Sequence, residues 1–325
     1  MNFQDLCNKL NFAPECTETL CEAREKILKS SKAFKIATAS SYLMMGNEEL
    51  CGADVRAIAE SSGVHRATVV TVMLLESIPL LQKVYADKKY PQELMWETLV
   101  DIKCKLEESH DLDGIWGTAA IGWYVRVYRA GIIKLGRLEF EPTGYKWDTP
   151  YRGIRKGDMV MNMHIPSTGP MKIEDVLDAF KQAYRFYGYK EPMPVMAASW
   201  LLYPPVCEEV FKPGSNLKNF YDLFDVVEQY EDPDNHNFWR IFNMNWQEGI
   251  LDKVPQNTSL QKNLYNFMAP GRNMGVGRCM LLFDGEKVIS KYFKATAVFL
   301  LWPFCYALLS MISRVNCPFS QWAFS

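Results

Sequence analysis

Residues 157–188, GDMVMNMHIPSTGPMKIEDVLDAFKQAYRFYG, change their period midway. The first part, GDMVMNMHIP (157–166), is a short apolar run bounded by Gly and Pro and reads as a β-strand. In the second part Ile173, Val176, Leu177, Phe180, Tyr184 and Tyr187 recur at helical spacing on one stripe, and Gly188 ends it. The next apolar run, PVMAASWLLYP (194–204), is again strand-like. Strand, loop, helix, strand is a βαβ unit, and it fixes the class of everything around it.

Upstream the chain is different. Amphipathic helical runs occupy 18–45, 53–60, 64–83, 91–108 and 115–130, with no strand-like alternation of any length. From about 132 strands begin: IIKLGRLEFEP (132–142), then the two strands above, then RCMLLFDGEKVI (278–289), closed by an Asp284-Gly285 turn signal. A shorter helix follows Pro213-Gly214, with Ser215 as N-cap and Leu217, Phe220, Tyr221 and Phe224 on one face. The expected class is α+β, an all-helical domain over 1–130 followed by a mixed-sheet domain over 131–289. Residues 290–325 form an apolar tail. Within it 295–313 is uncharged and flanked by Lys291, Lys294 and Arg314, as a membrane anchor or a non-native extension would be.

At 325 residues, with 48% hydrophobic and 23% charged side chains, the chain can bury a large core. A net charge of −2 gives no electrostatic footprint for nucleic acid. Nine cysteines without a Cys-x-x-Cys pair, beside four histidines, suggest neither a zinc site nor a disulfide framework, so no metal is expected. The N-terminal MNFQDLCNKLNF lacks the apolar core of a signal peptide, which points to a cytoplasmic protein, tethered to membrane only through 290–325 if at all.

One stretch favours another class. DVRAIAESSGVHRATVVTVML (54–74) has the Ala-x-x-Gly-Val centre of a DNA-binding helix-turn-helix. Its second helix offers only His65, Arg66 and Thr68 to DNA and is apolar on more than one side, which suits a packing turn better.

Several segments in order carry a resemblance. LLESIPLLQKVYADKKYPQELMWETLVDI (74–102), IKLGRLEFEP (133–142), MNMHIPSTGPM (161–171), ASWLLYP (198–204), FKPGSNL (211–217) and FWRIF (238–242) together resemble a bacterial family of acyltransferases. Its members pair a helical N-terminal N-acyltransferase domain with a GNAT-like C-terminal domain, and the match covers about 1–288. The resemblance implies an acyl-CoA donor, acetyl-CoA first, and an amine acceptor that is a small molecule or a peptide. A catalytically inactive GNAT-like binding module is the remaining alternative.

In GNAT enzymes the donor enters between two splayed parallel strands, and its pyrophosphate lies at the start of the helix after the first. The resemblance carries those places onto MNMHIP, the following loop and VMAASW, so Ile165, Pro166, Ser167, Thr168, Gly169 and Lys172 are the expected donor-binding residues. That loop lacks the Arg/Gln-x-x-Gly-x-Gly of the superfamily, and Glu174 and Asp175 place negative charge in the first helical turn. The letters do occur in RNMGVG (272–277), but between a helix and a strand. A phosphate loop must run from strand to helix, so these glycines are expected to give a flexible entry into a late hairpin.

Acyl transfer to an amine needs a base, a donor to the thioester oxygen and an acid for the thiolate. Arg137, Glu139 and Glu141 alternate with Leu138 and Phe140 and so share one strand face, as a base or as a solvated ion-pair face. His164 ends the first splayed strand, as a proton acceptor or a satisfied core histidine. Ser199 and Tyr203 close the second, and Tyr221 stands on the following helix, where many GNAT enzymes carry a tyrosine acid.

Overall fold

The computed structural model describes residues 1–290. The tail reading, apart from Ser290, falls outside the described residues. Among those residues no single helix is long and apolar enough to cross a membrane.

The first part is helical: α1 (Phe3–Lys9), α2 (Pro14–Lys29), α3 (Lys35–Met45), α4 (Glu48–Ser62), α5 (Arg66–Glu76), α6 (Ile78–Asp87), α7 (Gln92–Asp113) and α8 (Ile121–Val127). Two runs that read as continuous are each a pair of helices. The run 18–45 breaks where Ser30 takes an extended backbone. The run 64–83 breaks at Ser77, because Pro79 brings no N–H and can sit only in a first turn. The Asn47 side chain accepts from the Leu50 N–H (3.0 Å) and starts α4 after the left-handed Gly46.

The helix-turn-helix reading fails on burial. From Ala67 to Leu75 every residue of α5 is buried, and Thr68 Oγ1 donates to the Trp116 carbonyl (3.0 Å). Asp54 is bonded to Lys35 and Thr38. A helix covered on all sides cannot enter a groove.

The second part is one mixed sheet in the order β1-β2-β3-β4-β6-β5, with β1 (Ile133–Leu135), β2 (Leu138–Gly144), β3 (Met159–His164), β4 (Met193–Ser199), β5 (Asp225–Glu231) and β6 (Gly275–Phe283). It is flanked by α9 (Ile173–Phe186), α10 (Pro204–Glu209), α11 (Asn216–Tyr221), α12 (Trp239–Phe242) and α13 (Ser259–Met268). The βαβ unit is β3–α9–β4, and Ser215 caps α11 by accepting from Lys218 N–H (3.3 Å). The run 132–142 is a hairpin, with Gly136 at φ 61° in its two-residue turn. Strand β5 has no counterpart in the sequence reading. Its DVVEQYE is mostly polar because it lies at the sheet edge and pairs with β6 alone.

Phe180 of α9 packs between Phe140 and Phe283 at centroid distances of 6.1 and 5.6 Å, so α9 covers one face of the sheet. Tyr145, Trp147, Tyr151, Val160, Met196 and Met280 form a second cluster on the other. The Lys134 N–H donates to Thr98 Oγ1 of α7 (3.0 Å), which joins the helical part to the sheet at β1.

Candidate active site

Strands β3 and β4 pair in parallel only at Met161↔Val195 and Asn162↔Met196. Beyond that they part, while β4 stays paired with β6 as far as Ser199↔Gly277. The opening therefore lies between β3 and β4, and it leads into a cavity of about 630 Å³. Met163 and His164 line one wall, Ala197 to Leu201 the other, and Ile165, Pro166, Ser167 and Gly169 the rim.

The rim loop is clamped from outside. Arg137 is not in the strand with Glu139 and Glu141, as its alternation had suggested, but in the turn before it. From there its guanidinium donates to the carbonyls of Pro166 (2.8 Å), Gly169 (2.7 Å) and Pro170 (3.2 Å). Gly169 stands at φ 111°, a conformation that a Cβ would strain. Three backbone carbonyls turned onto one planar fork give the loop a fixed course into α9.

Glu139 and Glu141 do share one face of β2, and their surroundings separate them. Glu139 is 1% exposed, and its Oε1 has no hydrogen-bond partner. Burial, reinforced by the charge of nearby Asp101, pushes its carboxyl up to about 8. Asp101, on α7, is 2% exposed. Its Oδ2 accepts from Trp123 Nε1 (2.8 Å) and from the Tyr124 hydroxyl (3.2 Å). Burial outweighs these bonds and the charge of Lys105, so its proton affinity is also raised. Glu141 is the opposite case. Burial would raise it, but His164 Nε2 (3.0 Å) and Arg126 Nη1 (2.8 Å) hold it down to about 2. His164 lies across the ladder from Glu139, and its ring and that of Trp123 form a T-shaped pair with centroids 4.8 Å apart.

The residues singled out from sequence thus fall into three groups. Glu139, His164, Ser199, Ile165, Pro166, Ser167 and Gly169 line the one cavity. Ser199 has a local duty as well, accepting from Leu201 N–H (3.2 Å). Glu141 stands behind His164, while Thr168 and the exposed Lys172 belong to the loop but not to the cavity wall. Tyr203 and Tyr221 stand apart. Tyr203 packs against Gly275, and Tyr221 is buried beneath Lys218 Nζ (5.1 Å), where burial raises its phenol. The sequence reading missed Asp101, Lys105, Trp123 and Arg240, all of which line the cavity. Asp101, Lys105 and Glu108 follow one another at four and three residues on α7 and so share a helix face, which was the available signal.

Of RNMGVG only Val276 lines the cavity. Arg272 makes two bonds to Glu209 (2.6 and 2.7 Å) and lies 3.8 Å over the Phe267 ring. The order is α13, loop, β6, as expected, but the glycines are not a flexible entry into a hairpin. Strand β6 runs between β4 and β5, and among the described residues only a single bridge, Phe283↔Val288, follows it. A Cβ on Gly277 would stand 1.8 Å from the Leu202 carbonyl oxygen, and one on Gly275 would stand 2.5 Å from that of Tyr230. The glycines admit neighbouring backbone.

Comparison with known proteins adds the following. The profile of the N-acyltransferase N-terminal domain matches residues 1–130, and that of the GNAT-like C-terminal domain matches residues 132–281. No curated protein matches the chain. Among solved structures, an acyltransferase in complex with CoA and 10C-teicoplanin is similar, with a TM-score of 0.65 at 17% identity over 85% of this chain and 86% of that one. An acyltransferase in complex with decanoyl-CoA gives 0.64 at 18% identity, again over 85% and 86%. At these identities the likeness is one of fold.

Proposed function

From a chain that belongs to the GNAT-like N-acyltransferase family, with its N-acyltransferase N-terminal and GNAT-like C-terminal domains, and that therefore transfers an acyl group from acyl-CoA to an amine, we propose that the reaction takes place where β3 and β4 part, with Glu139 as the base. The observation that carries this reading is the opening above Asn162↔Met196, which leads to a buried carboxyl with an unpartnered oxygen. In this reading the thioester lies between the strands and the amine arrives from the side of α7 and α8. Glu139 takes a proton from the amine, whose nitrogen attacks the thioester carbon. As the C–S bond breaks, the departing thiolate accepts the proton that Glu139 holds. A base with raised proton affinity suits an amine, because it neither binds the proton so weakly that it fails to take it nor holds it beyond return.

The acyl group proposed is longer than acetyl. Met163, Leu201, Ile241, Leu260 and Val276 give the cavity an apolar lining that a two-carbon group does not need, and the neighbouring acyltransferases hold decanoyl-CoA and octanoyl-CoA. Acetyl-CoA, the expectation from sequence, is the short end of the series to compare. The acceptor is proposed to be an amine on a small molecule or a peptide. Calorimetry with acetyl-, octanoyl- and decanoyl-CoA, followed by detection of released thiol with a panel of amines, tests the assignment. Absence of binding to all three thioesters overturns it. Binding without turnover on any amine would leave a GNAT-like binding module in its place.

A further inference from the structure

The donor's diphosphate needs countercharge that its loop does not hold. Glu174 and Asp175 occupy the first turn of α9, Lys172 is exposed and off the cavity wall, and Arg137 is spent on three carbonyls. Among the described residues the other Lys and Arg side chains on the cavity wall are Lys105 of α7 and Arg240 of α12. Both point at one carboxylate. Glu108 Oε2 meets Lys105 Nζ at 2.9 Å, and Glu108 Oε1 meets Arg240 Nη1 at 3.5 Å while accepting from Ser167 Oγ at 2.6 Å. Two cations and a hydroxyl, all three of which line the cavity, thus converge from three separate parts of the chain on an acidic side chain that is only 15% exposed.

We propose that Lys105, Arg240 and Ser167 form the subsite for the diphosphate of the acyl-CoA donor, and that the Glu108 carboxylate competes with the diphosphate for them. The proposal rests on the donor reading above. A diphosphate carries more negative charge and more acceptor oxygens than one carboxylate, so it can draw all three groups away from Glu108. Glu108 in turn keeps two cations at the cavity rim from standing unpaired and holds the loop, through Ser167, against α7. The helical part of the chain would then supply donor binding directly, through Lys105.

Three variants of the full chain, Glu108→Gln, Lys105→Met and Arg240→Met, are compared with wild type for CoA affinity by calorimetry at two salt concentrations. Turnover is compared between an acyl-CoA and the same acyl group on pantetheine, which lacks the diphosphate. Lys105→Met and Arg240→Met should each weaken CoA binding by about tenfold, the scale of a hydrogen bond to a charged group. They should also reduce its salt dependence and lower the ratio of kcat/KM for the CoA thioester to that for the pantetheine thioester. Glu108→Gln, which still accepts from Ser167, should tighten CoA binding. CoA affinity unchanged in both cation variants, or weakened in Glu108→Gln, overturns the proposal. Failure of wild type to bind CoA would sink the donor reading itself and is seen before any variant is made.

Discussion

Replacing Glu139 by Gln separates its two consequences, one for stability and one for rate. The substitution keeps size and shape and removes the charge. Lifting a carboxyl from 4.5 to about 8 corresponds to roughly 5 kcal/mol between its two protonation states, an upper bound because Asp101 shares the perturbation. The sign follows from where the proton sits. Below about pH 4.5 the carboxyl is protonated in folded and unfolded chains alike, and burial costs little. As pH rises towards 8 the unfolded chain releases its proton and the folded one keeps it, so stability falls, and it levels off above about 8. Thermal or urea unfolding of both proteins at intervals from pH 5 to 9 reads this directly. Glu139→Gln should match wild type at pH 5 and exceed it by a few kcal/mol at pH 9, up to the bound just given. The same substitution should lower kcat by about 10²- to 10⁴-fold, the usual worth of a general base, and remove the rise of kcat/KM towards pH 8. Unfolding profiles that run parallel from pH 5 to 9 would refute the argument that burial governs this group. A fully active variant would refute its role as base.

Two further perturbations address the glycines. Gly277→Ala puts a methyl 1.8 Å from the Leu202 carbonyl. Backbone must move to admit it, so urea unfolding should show a loss of about 3 kcal/mol, and a loss below about 0.5 kcal/mol would show that the close approach is not needed. Gly169→Pro cannot hold φ 111° and should weaken acyl-CoA binding by disturbing the clamped loop. Arg272→Ala, whose partner Glu209 is on the surface, should leave that binding unchanged. Calorimetry showing the reverse pattern would exchange the roles of the two loops.

By itself the sequence determined what depends on near neighbours. A change of period marks where helices give way to strands, and the order strand, loop, helix, strand identified the unit β3–α9–β4, while the parting of its two strands was implied by the family resemblance. The same order showed that RNMGVG runs from helix to strand, because a phosphate loop is a matter of direction along the chain. Alternation placed Glu139 and Glu141 on one strand face. It could not tell them apart, since proton affinity depends on what a side chain is packed against. Tertiary contact left Glu139 buried with a free oxygen beside Asp101 and set Glu141 between His164 and Arg126. Strand β5 escaped notice because an edge strand exposes polar side chains on both sides and so loses the pattern that periodicity detects. Lys105 and Glu108 are neighbours by their spacing on α7, but Ser167 and Arg240 meet Glu108 only because the rim loop and α12 converge on that helix. Convergence of that kind arises from packing between distant segments, and no spacing along the chain encodes it.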